Sequence, residues 1–119
     1  MWEVEVTDEF VRWFTELPEH HRAAVEVRID QLADQGPALR RPTVATIVGS
    51  RLHNMKELRA SAVDAQLRVL FVFDPSRTAI LLLGGNKGES SAWNDWYPPA
   101  IRDAEALYAE YLTETNQES

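Results

Sequence analysis

Arg59 ends the run Met55-Lys56-Glu57-Leu58-Arg59, and Arg68 lies within Leu67-Arg68-Val69-Leu70-Phe71. Both runs alternate as strands do, and a turn that pairs the two positions would set both guanidiniums on one sheet face. Two planar forks side by side could hold one phosphate-like anion through bidentate contacts. For Arg59 the competing role is an ion pair to Glu57 or to a neighbouring helix. An arginine among Leu67, Val69 and Leu70 is harder to read as an ordinary surface charge. Three further groups could move protons beside such an anion. Lys56 would do so if Arg59 depressed its pKa, although a lysine with a snorkelling stem is the plainer account. Lys87 stands in a glycine-flanked loop just past a strand, a usual place for a reactive side chain on a rigid scaffold. His53 is the histidine nearest the basic strand and so a natural proton shuttle, whereas His20 and His21 sit at a helix start among acids and read as surface residues.

The elements that must carry these groups follow from periodicity. Trp2, Val4 and Val6 alternate with Glu3 and Glu5 as a short half-buried strand. Thr7 can cap a helix with Phe10, Val11, Phe14 and Leu17 on one face, and Pro18 opens a second helix that ends at Gly36-Pro37. Residues 40–50 are ambiguous between helical turn and strand and are left irregular. Residues 52–59, 66–73 and 78–83 read as a three-stranded meander, and Pro98-Pro99 starts a last amphipathic helix whose end frays after Thr113. The expected fold class is α+β: a small antiparallel sheet with an N-terminal helical hairpin and a C-terminal helix, in the order βααβββα, with the helices on one side.

The 119 residues fit a single domain, 1–119, with 45% apolar residues to fill one core. There is no cysteine, which excludes disulfides, thiolate zinc and a cysteine nucleophile. No nucleotide-binding glycine motif, zincin sequence or nucleophile elbow occurs, and the histidines lack metal-ligand spacing, so neither a metal nor another cofactor is expected. An acidic, alternating N-terminus is unlike a signal peptide, and no apolar run reaches membrane-spanning length, which points to the cytoplasm and to no membrane contact. The net charge of −7 argues at first against a polyanion partner. Its distribution does not: residues 1–35 carry −6, residues 36–88 carry +5 and residues 89–119 carry −6. The basic residues therefore gather on the meander between two acidic helical segments.

That order of elements, with Met55-Lys56-Glu57-Leu58-Arg59, Leu67-Arg68-Val69-Leu70-Phe71 and Ile80-Leu81-Leu82-Leu83-Gly84-Gly85-Asn86-Lys87 in sequence, resembles the HigB/RelE toxins, in their phage-derived Gp49-like branch. The resemblance covers nearly the whole chain. It implies a type II toxin: a ribosome-dependent endoribonuclease that cuts mRNA and is held inactive by a cognate antitoxin, of helix-turn-helix type. In metal-free RNA cleavage the 2′-OH attacks the adjacent phosphate, so a protein need only move two protons and stabilise the phosphate. On this reading Arg68, Arg59, Lys87, Lys56 and His53 are the catalytic candidates, with Arg51, Arg77, Tyr97 and Trp93 for RNA binding; Tyr97 could stack on a base or donate a proton. A ParE-like gyrase inhibitor and a catalytically inactive antitoxin-binding module stay open as alternatives. Arg68→Ala is expected to abolish cleavage with little loss of stability.

Overall fold

Residues 67–73 and 78–83 carry apolar side chains on both faces of the chain, and a sheet built on them must be covered twice. The computed structural model describes residues 1–89 and 95–118. In chain order the elements are β1 (Glu3–Val6), α1 (Asp8–Thr15), α2 (Glu19–Gln35), β2 (Val44–Thr46), β3 (Met55–Ala62), β4 (Ala65–Asp74), β5 (Thr78–Asn86) and α3 (Tyr97–Glu118). The strands form one sheet in the order β1-β5-β4-β3-β2.

The expected meander is present as β3-β4-β5, and the α+β class and helix placement along the chain agree with expectation. α3 runs on to Glu118, past Thr113 where the sequence predicts fraying, and three features of the sheet and its cover also differ. The sheet is mixed, because β1 pairs in parallel with β5 at one edge. The ambiguous segment 40–50 supplies β2, whose Val44 and Ala45 are buried against β3. The helices lie on both faces. Leu67, Val69 and Phe71 meet Phe10, Val25 and Leu32 from α1 and α2, whereas Leu70, Val72, Ile80 and Leu82 meet Ile101, Ala104 and Tyr108 from α3. Alternate residues of β4 thus feed two separate cores, which a single helical layer could not cover.

Local chemistry fixes the joints. Thr7 caps α1 by accepting the Phe10 N–H at 3.1 Å, and its hydroxyl donates to the Leu82 carbonyl at 2.6 Å, tying the helix start to β5. Gly36 ends α2 at φ 54°, a conformation that favours glycine. Gly84 and Gly85 let two indoles lie on the backbone of β5: a Cβ at Gly84 would collide with Trp13, and one at Gly85 would stand 2.6 Å from the Trp96 ring nitrogen.

This packing predicts that Gly84→Ala, which inserts a methyl against the Trp13 ring, lowers unfolding stability by about 1–3 kcal/mol, the usual cost of overpacking. Urea melts check it, with a lower midpoint at unchanged slope as the expected result.

Candidate phosphate-binding cleft

The β3–β4 register places Arg59 directly opposite Arg68, so in an antiparallel pair the two side chains share a face. It is the face that α3 covers, and Glu57 joins them there two residues before Arg59. Arg59 Nε donates to Glu57 Oε1 at 2.8 Å. Glu57 is 3% exposed and Arg68 6%. Arg68 Nη1 donates to the Leu67 carbonyl at 2.9 Å, while Arg68 Nε and Glu57 Oε2 are buried with no hydrogen-bond partner among the described residues. An unmet buried donor costs roughly 1–3 kcal/mol, which a bound oxyanion would relieve. The burial of Arg68 also revises one expectation: its stem is packed, so truncation to alanine removes contacts as well as charge, and stability will fall.

Lys87 reaches the same place from the end of β5. Asn86 shapes that loop, its Oδ1 accepting from the Gln66 N–H at 3.2 Å and the Gly88 N–H at 3.0 Å. Lys87 is buried, and its Nζ lies 5.0 Å from the centre of the Tyr97 ring, a cation–π distance. Burial pushes the Lys87 pKa down, Arg68 and Arg59 push it further, and Glu57 opposes them. Tyr97, first residue of α3, moves the other way: burial and the Glu57 carboxylate raise its pKa, against Arg68. The face thus holds a lysine biased towards losing its proton and a phenol biased towards keeping one.

These groups border a cleft of about 770 Å³ between the sheet and α3, lined by Glu57, Arg59, Lys87 and Tyr97 together with Arg41, Arg51 and Arg102. Arg51 is anchored at its mouth, its backbone N–H donating to Glu105 Oε2 at 2.7 Å and its Nε to Oε1 at 3.3 Å. That backbone bond is the main reason the Glu105 carboxyl sits below its ordinary range. Arg68 lies beside the cleft, in a smaller hollow that it shares with Arg59, Arg28 and Ser61.

The remaining candidates fall elsewhere. Lys56 points to the opposite sheet face, where its Nζ donates to Thr46 Oγ1 at 2.9 Å and it shares a hollow with Leu39 and Phe73. His53 is exposed in the turn before β3 and is not among the residues that line the cleft. Arg77 is in the β4–β5 turn, with its guanidinium 5.3 Å from the Trp2 ring centre. Trp93 lies outside the described residues. Glu57, Arg41 and Arg102 were not among the sequence candidates; only Glu57 had a legible signal, an acid two residues from Arg59 on the same strand face.

The electrostatic arrangement has a direct check in the titration of Lys87, followed by NMR at the lysine Cε. The midpoint is expected below 10.5, with Arg68→Met moving it up and Glu57→Gln moving it down. Between the lowered value and 10.5 the unfolded chain binds more protons than the folded one, so Lys87 makes stability rise with pH across that window.

Comparison with known proteins places this architecture. The family described as phage-derived protein Gp49-like matches residues 12–109. The candidate toxin HigB3 of Mycobacterium tuberculosis is 48% identical over 101 residues, 85% of this chain and 85% of that protein. The candidate toxin HigB2 of the same organism is 42% identical over 103 residues, 86% of this chain, and the chain spans 50% of its length. In fold, the isolated Escherichia coli RelE toxin superposes with a TM-score of 0.57 at 8% identity, covering 86% of this chain and 97% of that one. The archaeal RelE of a RelE–RelB complex from Pyrococcus horikoshii gives 0.55 at 20% identity, covering 75% and 98%. The family match over residues 12–109 and the 48% identity to HigB3 mean that the chain belongs to the phage-derived Gp49-like family, with HigB toxins among its relatives and the fold of RelE.

Proposed function

We propose that this chain is the toxin of a type II toxin–antitoxin pair and acts as a ribosome-dependent endoribonuclease that cuts mRNA in the cytoplasm. The observation that carries the reading is the direct pairing of Arg59 with Arg68 on the sheet face where Lys87 and Tyr97 converge. Two guanidiniums there suit one phosphate, and they stabilise the charge that builds on its oxygens as the 2′-oxygen attacks. Lys87, depressed in pKa, accepts the 2′-OH proton; the O2′–P bond forms, the P–O5′ bond breaks, and Tyr97 supplies a proton to the departing 5′-oxygen. The products are a 2′,3′-cyclic phosphate and a 5′-hydroxyl. Glu57 is a positioning residue: it holds Arg59 through Nε, a geometry compatible with the Nη pair meeting the phosphate. The chemistry draws on cationic side chains and needs no cofactor.

Net charge shapes how the substrate arrives. At −7, the chain binds free RNA weakly and depends on a ribosome that presents the message in fixed geometry. Its partner is a cognate antitoxin, by analogy with the archaeal RelE solved with RelB, and the family resemblance suggests the helix-turn-helix type.

The test programmes ribosomes with a defined mRNA and maps new ends by primer extension. Arg59→Met and Arg68→Met, which keep the stems, each reduce single-turnover cleavage by about 10²–10³, and the double variant falls little further because the pair acts on one phosphate. Thermal melts on the same variants separate lost chemistry from lost folding. Intact mRNA alongside inhibited gyrase supercoiling would replace this reading with the ParE-like one. Harmless expression with neither effect, together with a stable complex with the neighbour-encoded protein, would make it a binding module.

A further inference from the structure

A second constellation stands apart from the cleft and shares no residue with it. His20 and His21, in the first turn of α2, both reach Asp64 in the β3–β4 turn. His20 Nε2 lies 3.1 Å and His21 Nε2 2.8 Å from the same oxygen, Asp64 Oδ1. One donor atom from each of the three residues falls within 4.8 Å of the others. His21 has only 11% of its side chain exposed, and His20 and Asp64 are about 60% open, so the group is held on one side and wet on the other.

We propose that His20, His21 and Asp64 form a binding site for a divalent transition metal, zinc by preference, that clips the β3–β4 turn to α2. Three donors at the corners of a tetrahedron around zinc stand about 3.3 Å apart for bonds of about 2.0 Å. The two His–Asp64 separations, 3.1 and 2.8 Å, would open slightly, and any wider pair within the 4.8 Å span would draw in by rotation of the exposed His20 ring. Two imidazoles and one carboxylate are a borderline donor set that suits zinc, with water completing the shell. Two rings aimed at one carboxylate oxygen exceed what a simple ion pair requires. If both were charged, their centres, 4.3 Å apart, would repel each other. A metal resolves this, because each imidazole then binds neutral through Nε2. Spacing in the sequence could not reveal the site, since Asp64 is 43 residues from His21. Closing a loop of that length is a setting in which a metal clip stabilises. The consequence falls on the hairpin that presents Arg59 and Arg68, a few residues from its tip.

The experiment is zinc titration of the whole chain after chelation, read by thermal melting, with cobalt(II) absorption as a probe of coordination. Wild type is expected to gain roughly 10 °C at a hundredfold excess over the dissociation constant, and cobalt is expected to give the intense visible bands of a tetrahedral site. His20→Ala and Asp64→Asn, both exposed and safe for folding, should abolish the gain, whereas His53→Ala, which removes the third histidine of the chain, should keep it. No shift in wild type, or a shift that survives both His20→Ala and Asp64→Asn, would overturn the proposal.

Discussion

Arg68 must keep a guanidinium in the face of an inner strand of the sheet, and much of the surrounding arrangement answers that demand. A buried charge is tolerable only with opposite charge and donors' partners close by. Its neighbours are Glu57, Arg59, Lys87 and Tyr97, four side chains from three different elements. Further along the same face, Leu70 and Val72 of β4 pass under Ile101 and Ala104 of α3, and the sheet becomes an ordinary apolar core. The cleft therefore lies at a boundary, where the helix that seals the apolar part of the face begins with Tyr97. Five cations, Arg41, Arg51, Arg59, Lys87 and Arg102, line the cleft against two carboxylates, Glu57 and Glu105, which leaves it locally positive inside an acidic protein.

That boundary also explains the opposed pKa shifts. Burial disfavours charge on both Lys87 and Tyr97, but the sign differs because one is charged when protonated and the other when deprotonated. Glu57 strengthens the effect on Tyr97 and weakens it on Lys87. A single carboxylate thus holds Arg59 in place, keeps the phenol protonated and limits how far the lysine pKa falls.

The fold was legible where one physical signal dominated. Thr7, Pro18 and Gly36 fixed the helical hairpin through capping and φ, and the alternation of Leu67, Val69 and Phe71 fixed β4. The same strand misled on layering: Leu70 and Val72 are equally apolar, and the expectation of helices on one side left their face without cover. Val44 and Ala45 made too short a run for periodicity to separate strand from turn, and only pairing with β3 decides it. For the site, register supplied the Arg59–Arg68 pair, because a hairpin with two turn residues, Val63 and Asp64, leaves little freedom. Lys56 was separable in principle, since a strand position one away from Glu57 faces the other side. What no pattern could supply was Tyr97 over Lys87, or Asp64 between two histidines, because those meetings are made by tertiary packing.

The charge distribution follows the same logic of near and far. Salt screens exposed charges beyond about 8 Å at physiological ionic strength, so the acidic surfaces of α1, α2 and α3 and the cationic cleft act over short, separate ranges. On the proposed reading, a polyanion drifting past meets carboxylates first and is turned away. On that same reading, a phosphate already held in place and pushed between α3 and the sheet passes the exposed Arg51 and meets Arg59 and Lys87 in a partly desolvated wall, where each contact is worth more than it would be in water. On the proposed reading, selectivity for presented over free RNA then comes from the placement of the charges rather than from their total. The acidic envelope would then contribute to that selectivity, and a net charge of −7 is compatible with a phosphate site.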